Sequence, residues 1–161
     1  MSIQNIVSNL ELGDGVALYG TQLAVQENYL RFASGVISAA EFKNMSVSRP
    51  ILIPSPSPNQ VILIDKMFLM VQYNTTAYTA GSDVVVVYND SQIPASTTIA
   101  STVFTEPLPS YAYCVQGDAQ PSSSGDIVGF GLDLSLAAGT DFATGDSPIS
   151  WSLWYKIITI A

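Results

Sequence analysis

The chain contains no histidine. That absence excludes a Ser-His-Asp or Cys-His nucleophile system and any histidine-ligated metal. There is one cysteine, Cys114, so neither an intrachain disulfide nor a cysteine zinc site can form. Cys114 lies in the apolar run YAYCV with no basic residue close in sequence. It reads as a small buried hydrophobe and not as a reactive thiol. Charge is scarce as well. Charged residues make up 11% of the chain, less than half the usual share of about 25%. The five basic residues are Arg31, Lys43, Arg49, Lys66 and Lys156, and they form no run. Nucleic acid needs clustered cations to neutralise its phosphates, and anionic membranes do too, so neither is an expected partner. No apolar stretch is long and clean enough to span a bilayer as a helix. No basic segment followed by an apolar one opens the chain, so no secretion signal is expected and the setting is cytoplasm-like, or an assembly built there. No phosphate-cradling glycine loop is present, and no cofactor is expected.

What is present is apolar. Hydrophobic residues make up 48% of 161 residues, with a net charge of −8. The length suits one domain with a substantial core. A lone chain with so few charges would struggle to cover its surface, so part of that surface is expected to be buried against other chains. The acidic balance itself reads as solubility.

The longest apolar stretch, VILIDKMFLMVQY over 61–73, reads as one strand. Strict alternation puts Val61, Leu63, Asp65, Met67, Leu69, Val71 and Tyr73 on one face and Ile62, Ile64, Lys66, Phe68, Met70 and Gln72 on the other. Both faces are mostly apolar, so both are expected to be covered. A bulge or bend is expected near Asp65-Lys66, where the apolar run breaks. Before it, Ser38 and Glu41 have capping-box spacing, with Ile37 and Phe42 placed as a hydrophobic staple, so a short helix is expected over Ala39 to Met45. The segment ILI at 51–53 reads as a strand that ends in a turn at Pro54, Pro56 and Pro58. Val84 to Tyr88 reads as a central strand, Ser110 to Gln116 as another, and Thr97 to Phe104 has room for a short helix. Gly117 to Gly125 is a loop by composition. In Asp126 to Leu136, alternation sends Val128, Phe130, Leu132, Leu134 and Leu136 inward and Gly129, Gly131, Asp133 and Ser135 outward. The last strand, Ile149 to Ile160, points Ile149, Trp151, Leu153, Tyr155 and Ile157 one way and Trp154 the other. Leu23 to Phe32 is readable as helix or strand. Strands joined by irregular loops argue an all-β fold, a β-sandwich with one or two short helices. Residues 1–37 are read as an N-terminal arm, extended or packing on neighbours or adding a strand to its own sandwich, and 38–161 as the sandwich domain.

Little chemistry is on offer. A carboxylate pair would serve a glycosidase, and the candidates are Asp65, Asp83, Asp90, Glu106, Asp118, Asp126, Asp133, Asp141 and Asp146. Most fall in loops or at strand ends, where solvated turn carboxylates are the default. Asp141 with Asp146, and Asp118 with Asp126, bracket glycine-containing loops with oxygen ligands of the kind calcium takes, but neither has an EF-hand pattern. No catalytic, cofactor or metal residue is therefore assigned, and the chain is not expected to be an enzyme. Trp151 and Tyr155 belong on the core face; Trp154 is the better candidate for a contact with another subunit or a ligand.

The order of these features resembles a known class. A short AAEFKNM helix leads into ILIPSPSPNQVILIDKMFLMVQYNTTAYTAGSDVVVVYND, and the chain ends in TGDSPISWSLWYKIITI. Over about residues 38–160 this pattern is similar to small structural proteins of tailed bacteriophages. The resemblance implies a sandwich of jelly-roll type carried on the virion, most often as a capsid decoration or cement protein on the outer capsid surface. Its implied partners are the major capsid protein and other copies of itself, most commonly as a homotrimer on capsid three-fold axes. A tail, baseplate or head-fibre protein and a surface carbohydrate-binding module are the rival readings.

Overall fold

The computed structural model describes residues 16–19, 22–25, 29–89, 93–115 and 127–160. Its strands are β1 (Val16–Tyr19), β2 (Gln22–Val25), β3 (Arg31–Ile37), β4 (Ile51–Ile53), β5 (Gln60–Val71), β6 (Tyr78–Thr79), β7 (Val84–Tyr88), β8 (Ser110–Val115), β9 (Leu132–Leu136), β10 (Ala143–Thr144) and β11 (Ile149–Thr159). Two one-turn helices, α1 (Ala39–Phe42) and α2 (Thr102–Thr105), interrupt them. A four-stranded antiparallel sheet in the order β3-β11-β5-β8 packs over a three-stranded one in the order β4-β9-β7. Residues of both sheets share one buried core. The fold is an all-β sandwich. β1 pairs with β2, and the two-residue strands β6 and β10 pair with each other. Residues 1–15, which include Gly13 and Gly15, lie outside the described residues, as do Gly20, Asp90, Gly117 to Gly125 and Asp126.

β5 and β11 form the longest ladder, and one extra residue governs it. Trp154 opposes Lys66 and Tyr155 opposes Ile64, so Asp65 is left without an opposite number. This is the bulge expected at Asp65-Lys66. It changes the parity of the strand. Ile62 and Ile64 are buried on one side of it, and Met67, Leu69 and Val71 on the other. Strict alternation across 61–73 therefore fails at Asp65, because the inserted residue rotates the pleat by one position. β11 keeps its parity throughout: Ile149, Trp151, Leu153 and Ile157 are all buried, as the alternation requires. Trp151 fits because β3 is thin opposite it; a Cβ on Gly35 would come within 2.9 Å of the indole.

Arg31–Ile37 pairs with β11 over seven residues and forms an edge of the four-stranded sheet. Of the alternatives open for the first 37 residues, this stretch takes the last, a strand added to its own sandwich. Ser38 follows with extended backbone. Its Oγ accepts from the Glu41 amide at 3.3 Å, and its own amide donates to Glu41 Oε2 at 2.9 Å. That reciprocal cap satisfies two helix-end donors; the Ser38 hydroxyl, donating to Glu41 Oε2 at 2.6 Å, and after it the Ser38 amide hold the Glu41 carboxyl below its usual range. The helix it starts is shorter than Ala39 to Met45 but delivers Phe42 fully into the core.

Two further expectations are corrected. β9 begins only at Leu132; 127–129 form a turn, where Gly129 has φ of +79° against Pro58. Asp133 and Ser135 are buried instead of facing out. Clefts lined by Met45, Ser46, Val47 and Arg49 adjoin Asp133 and Ser135, so the segment after α1 lies over that side of the sheet. β7 is buried on both faces as its sequence demands, yet it is the last strand in its sheet. Its free edge is covered by 93–99: Ala95 donates to the Val86 carbonyl at 2.7 Å and Ile99 to the Val84 carbonyl at 2.7 Å. Pro94 can sit on that irregular outer segment because no ladder bond is asked of it.

Replacing Trp151 with Ala removes the largest side chain the four-stranded sheet contributes to the core. The expected cost is about 3–5 kcal/mol, read as a lower denaturant midpoint. An unchanged midpoint would mean that the indole is not packed in the core.

Candidate interaction face

The inner face of the four-stranded sheet is core; the outer face has no other described segment over it. The registers define it as three rows crossing all four strands. The first is Val36, Ser150, Met70 and Tyr111; the second Ser34, Ser152, Phe68 and Tyr113; the third Phe32, Trp154, Lys66 and Val115. Tyr111 is 73% exposed, Val36 64%, Tyr113 60% and Phe32 57%. Phe68, Met70 and Val115 are each more than a third exposed. Among the described residues, the side of 61–73 that carries Phe68 and Met70 has no layer of the same chain over it, where covering of both faces was expected.

The face is preorganised. Phe68 stacks on Tyr111 with ring centroids 5.8 Å apart. Phe32 meets Trp154 at 5.0 Å, and the Lys66 ammonium sits 5.3 Å from the Trp154 ring centre. Trp154 is half-buried among these neighbours. Gln72 at the end of β5 donates to Ser150 Oγ at 3.2 Å. Rings held by other rings lose little rotamer freedom when something packs on them, which favours contact with a partner.

None of the described carboxylates lies in the three rows, and among the described residues no three group as a metal site would require. Asp146 clamps a turn: its side chain accepts from the amides of Thr75 at 3.1 Å and Thr76 at 2.9 Å, from Asn74 Nδ2 at 3.0 Å and from the Thr75 hydroxyl. These bonds, that of the Thr75 hydroxyl foremost and the Thr76 amide next, pull its pKa down to about 2. Asp141 accepts from the amide of Ser46 at 2.9 Å and from its hydroxyl. Asp83 accepts from the Ser101 amide at 2.8 Å, fixing the approach to α2. Asp65 is exposed at the bulge, and Glu106 is exposed beyond α2. Asp141 and Asp146 therefore act as separate turn clamps. Asp118 and Asp126, the other pair weighed for calcium, lie outside the described residues.

The Asp146 clamp belongs to a larger clasp. Gly145, at φ of +72°, presses its α-carbon on the Tyr78 ring, where a Cβ would come within 2.2 Å. Tyr78 donates its hydroxyl to the Ser147 carbonyl at 2.5 Å. Burial, with the Asp146 charge adding to it, pushes the Tyr78 phenol up to about 12. Phe42 of α1 contacts the rings of Tyr78, Phe104 and Phe142, all with centroids within 5.0 Å. Each one-turn helix thus contributes one phenylalanine to a four-ring cluster. At the sheets themselves, Tyr88 of β7 donates to the Ile62 carbonyl of β5 at 2.7 Å and ties the two layers together. Cys114 is buried on the core face of β8, and burial pushes its thiol up to about 11, against the pull of a hydrogen bond with Ser96.

A shallow cleft of about 480 Å³ lies beside 45–49, lined by Met45, Ser46, Arg49 and the 135–139 segment. Arg49 is the one charged side chain on its wall.

No family model matches the chain, and no curated protein matches it. Among solved structures, a chain of the "Cyanophage Pam1 capsid asymmetric unit" aligns with a TM-score of 0.49 at 16% identity, covering 87% of this chain and 93% of that one. A likeness of that size assigns neither family nor function.

Two outcomes follow from the buried and clamped groups. A carboxylate with a depressed folded pKa stabilises the fold above its unfolded pKa, and that contribution is lost as pH falls through the folded value. For Asp146 the window runs from the ordinary 3.8 down to about 2. Thermal melts should show the wild type losing its advantage over Asp146→Asn across that window; a constant difference between the two would mean that the clamp is not ionic. Cys114 in the folded chain should react with a disulfide reagent at pH 8 only as fast as the protein unfolds, and labelling at the rate of a free thiol would contradict its burial.

Proposed function

We propose that the chain is a non-catalytic structural protein of a tailed-phage virion, a decoration protein that binds the assembled major capsid protein shell and stabilises it. The observation that carries an assembly role is the open apolar sheet face on a chain in which charged residues are only 11%. Such a surface is built to be covered by protein. Among the described carboxylates, Asp83, Asp141 and Asp146 are engaged by separate loops. The virion setting rests on the sequence resemblance. Two of the segments that carry it, YNTTAYTAG and TGD, meet in the Asp146–Tyr78 clasp.

A cement protein works by linkage: a partner that binds only the assembled shell lowers the free energy of that shell. Attachment is placed in the residues before β3, which carry Leu10, Leu12, Val16, Leu18, Leu23 and Tyr29. A segment of that composition can order on a neighbouring surface, its ordering entropy opposing the contact energy. A carbohydrate-binding module is the second reading, favoured by the five aromatic rings on the open face. Against it, the Trp154 ring is already engaged by Phe32 and Lys66.

The test mixes the full chain, and a form lacking residues 1–30, with undecorated capsids. The full chain should co-sediment with the shells and raise their melting temperature, and the truncated form should do neither while keeping its fold. If the full chain never binds capsids, the decoration reading fails. If it binds a glycan array instead, the second reading takes its place. Labelled protein found on tail or baseplate in intact particles would move the same structural role to that location.

A further inference from the structure

We propose that the outer face of the β3-β11-β5-β8 sheet is where two copies of this chain meet, paired about a two-fold axis that runs along the strands. The argument is the relief of the face. Its β5–β8 half carries large side chains: Met70, Phe68, Tyr111 and Tyr113. Its β3–β11 half carries smaller ones in the first two rows, Val36, Ser150, Ser34 and Ser152, while in the third row it carries Phe32 and Trp154. Over the first two rows one half is a ridge and the other a recess. A two-fold axis along the strands keeps each row over its own row and reverses its order. Tyr113 then faces Ser34 of the second copy, Phe68 faces Ser152, Tyr111 faces Val36, Met70 faces Ser150, Phe32 faces Val115 and Lys66 faces the Trp154 ring. Over the first two rows the larger side chain meets the smaller at each step, which is how packed sheets interdigitate. A two-fold axis across the strands would instead set ridge on ridge and serine on serine.

Charge and area agree with a second copy as the occupant. Two chains of net charge −8 repel, and the chain has 13 acidic residues. None of the twelve residues in the three rows is acidic, and the single charge among them, Lys66, is already held over its own chain's Trp154 ring. Asp65 stands outside the rows, at the bulge. Taking roughly 150–250 Å² for a whole aromatic side chain, the exposed fractions of the twelve come to the order of the 800 Å² per partner that a standard stable interface buries. The contact closes in pairs. Face-to-face packing reverses the direction in which a sheet looks, so three copies cannot each face the next, whereas an isologous pair is complete. The pairing therefore stands in place of the trimer that the resemblance implies, and it does not rest on the capsid reading.

Sedimentation of the full chain alone at micromolar concentration should give twice the 17.1 kDa chain mass. Tyr113→Lys on the ridge and Ser34→Arg on the recess are both at exposed positions. Each should weaken the dimer by about ten-fold or more while leaving the circular dichroism spectrum unchanged; having one on each half guards against a variant that misfolds. A chain carrying Ser34→Cys together with Tyr113→Cys should form a covalent dimer on mild oxidation, and neither substitution alone should. A wild-type monomer, a trimer, a dimer that neither variant weakens, or efficient cross-linking through Ser34→Cys alone would each overturn the pairing. A dimer that ignores capsids leaves this proposal standing and removes the capsid reading; a monomer that decorates capsids does the reverse.

Discussion

The structure depends on the β5–β11 ladder and on the one residue in it that has no opposite number. Asp65 shifts the pleat of β5 by one position, so that Ile62 and Ile64 point inward before it and Met67, Leu69 and Val71 after it. A strand of this length without the insertion would turn one of those sets away from the core. β3 and β8 then inherit their registers from the central pair, and with them the composition of both faces of the sheet. The inner face receives Trp151 in the space left by Gly35, and the outer face receives Phe68, Met70 and their neighbours.

The second constraint lies at the end of the sandwich where irregular chain must be closed without long helices. There the fold uses rings and one carboxylate. Phe42, Tyr78, Phe104 and Phe142 fill the space, and Asp146 gathers the free amides of 75–76. An ionised carboxylate that accepts several hydrogen bonds is strong glue for a turn. The described carboxylates at Asp83, Asp141 and Asp146 each serve a separate turn.

The two sheets differ in what covers them. The three-stranded sheet has the 45–49 segment over its outer side and 93–99 along its β7 edge, so even Asp133 and Ser135 are shielded. The four-stranded sheet has nothing of its own chain, among the described residues, over its outer side. This asymmetry gives the scarcity of charge a location. Phe32, Val36, Phe68, Met70, Tyr111, Tyr113 and Val115 are exposed together on that one side, while Val47, Ile51 and Leu108 are exposed elsewhere.

Much of this was decided by sequence alone. The absence of histidine excluded whole reaction classes. Alternation over 149–160 placed Trp151 and Leu153 inward, capping-box spacing located α1, and the polar break in a long apolar run located the bulge. These features are legible because they depend on neighbours a few residues apart. Other features came only from the tertiary structure. The direction in which the bulge turns Met67 and Phe68 is set by the register with β11. The burial of Asp133 and Ser135 is set by a segment some 85 residues earlier in the chain. The meeting of Asp146 with Thr75 and Thr76 spans about 70 residues. The open face, with its ridge and its recess, exists only once four strands from distant parts of the chain lie side by side, because a strand's own sequence specifies two faces but not which of them another layer will cover.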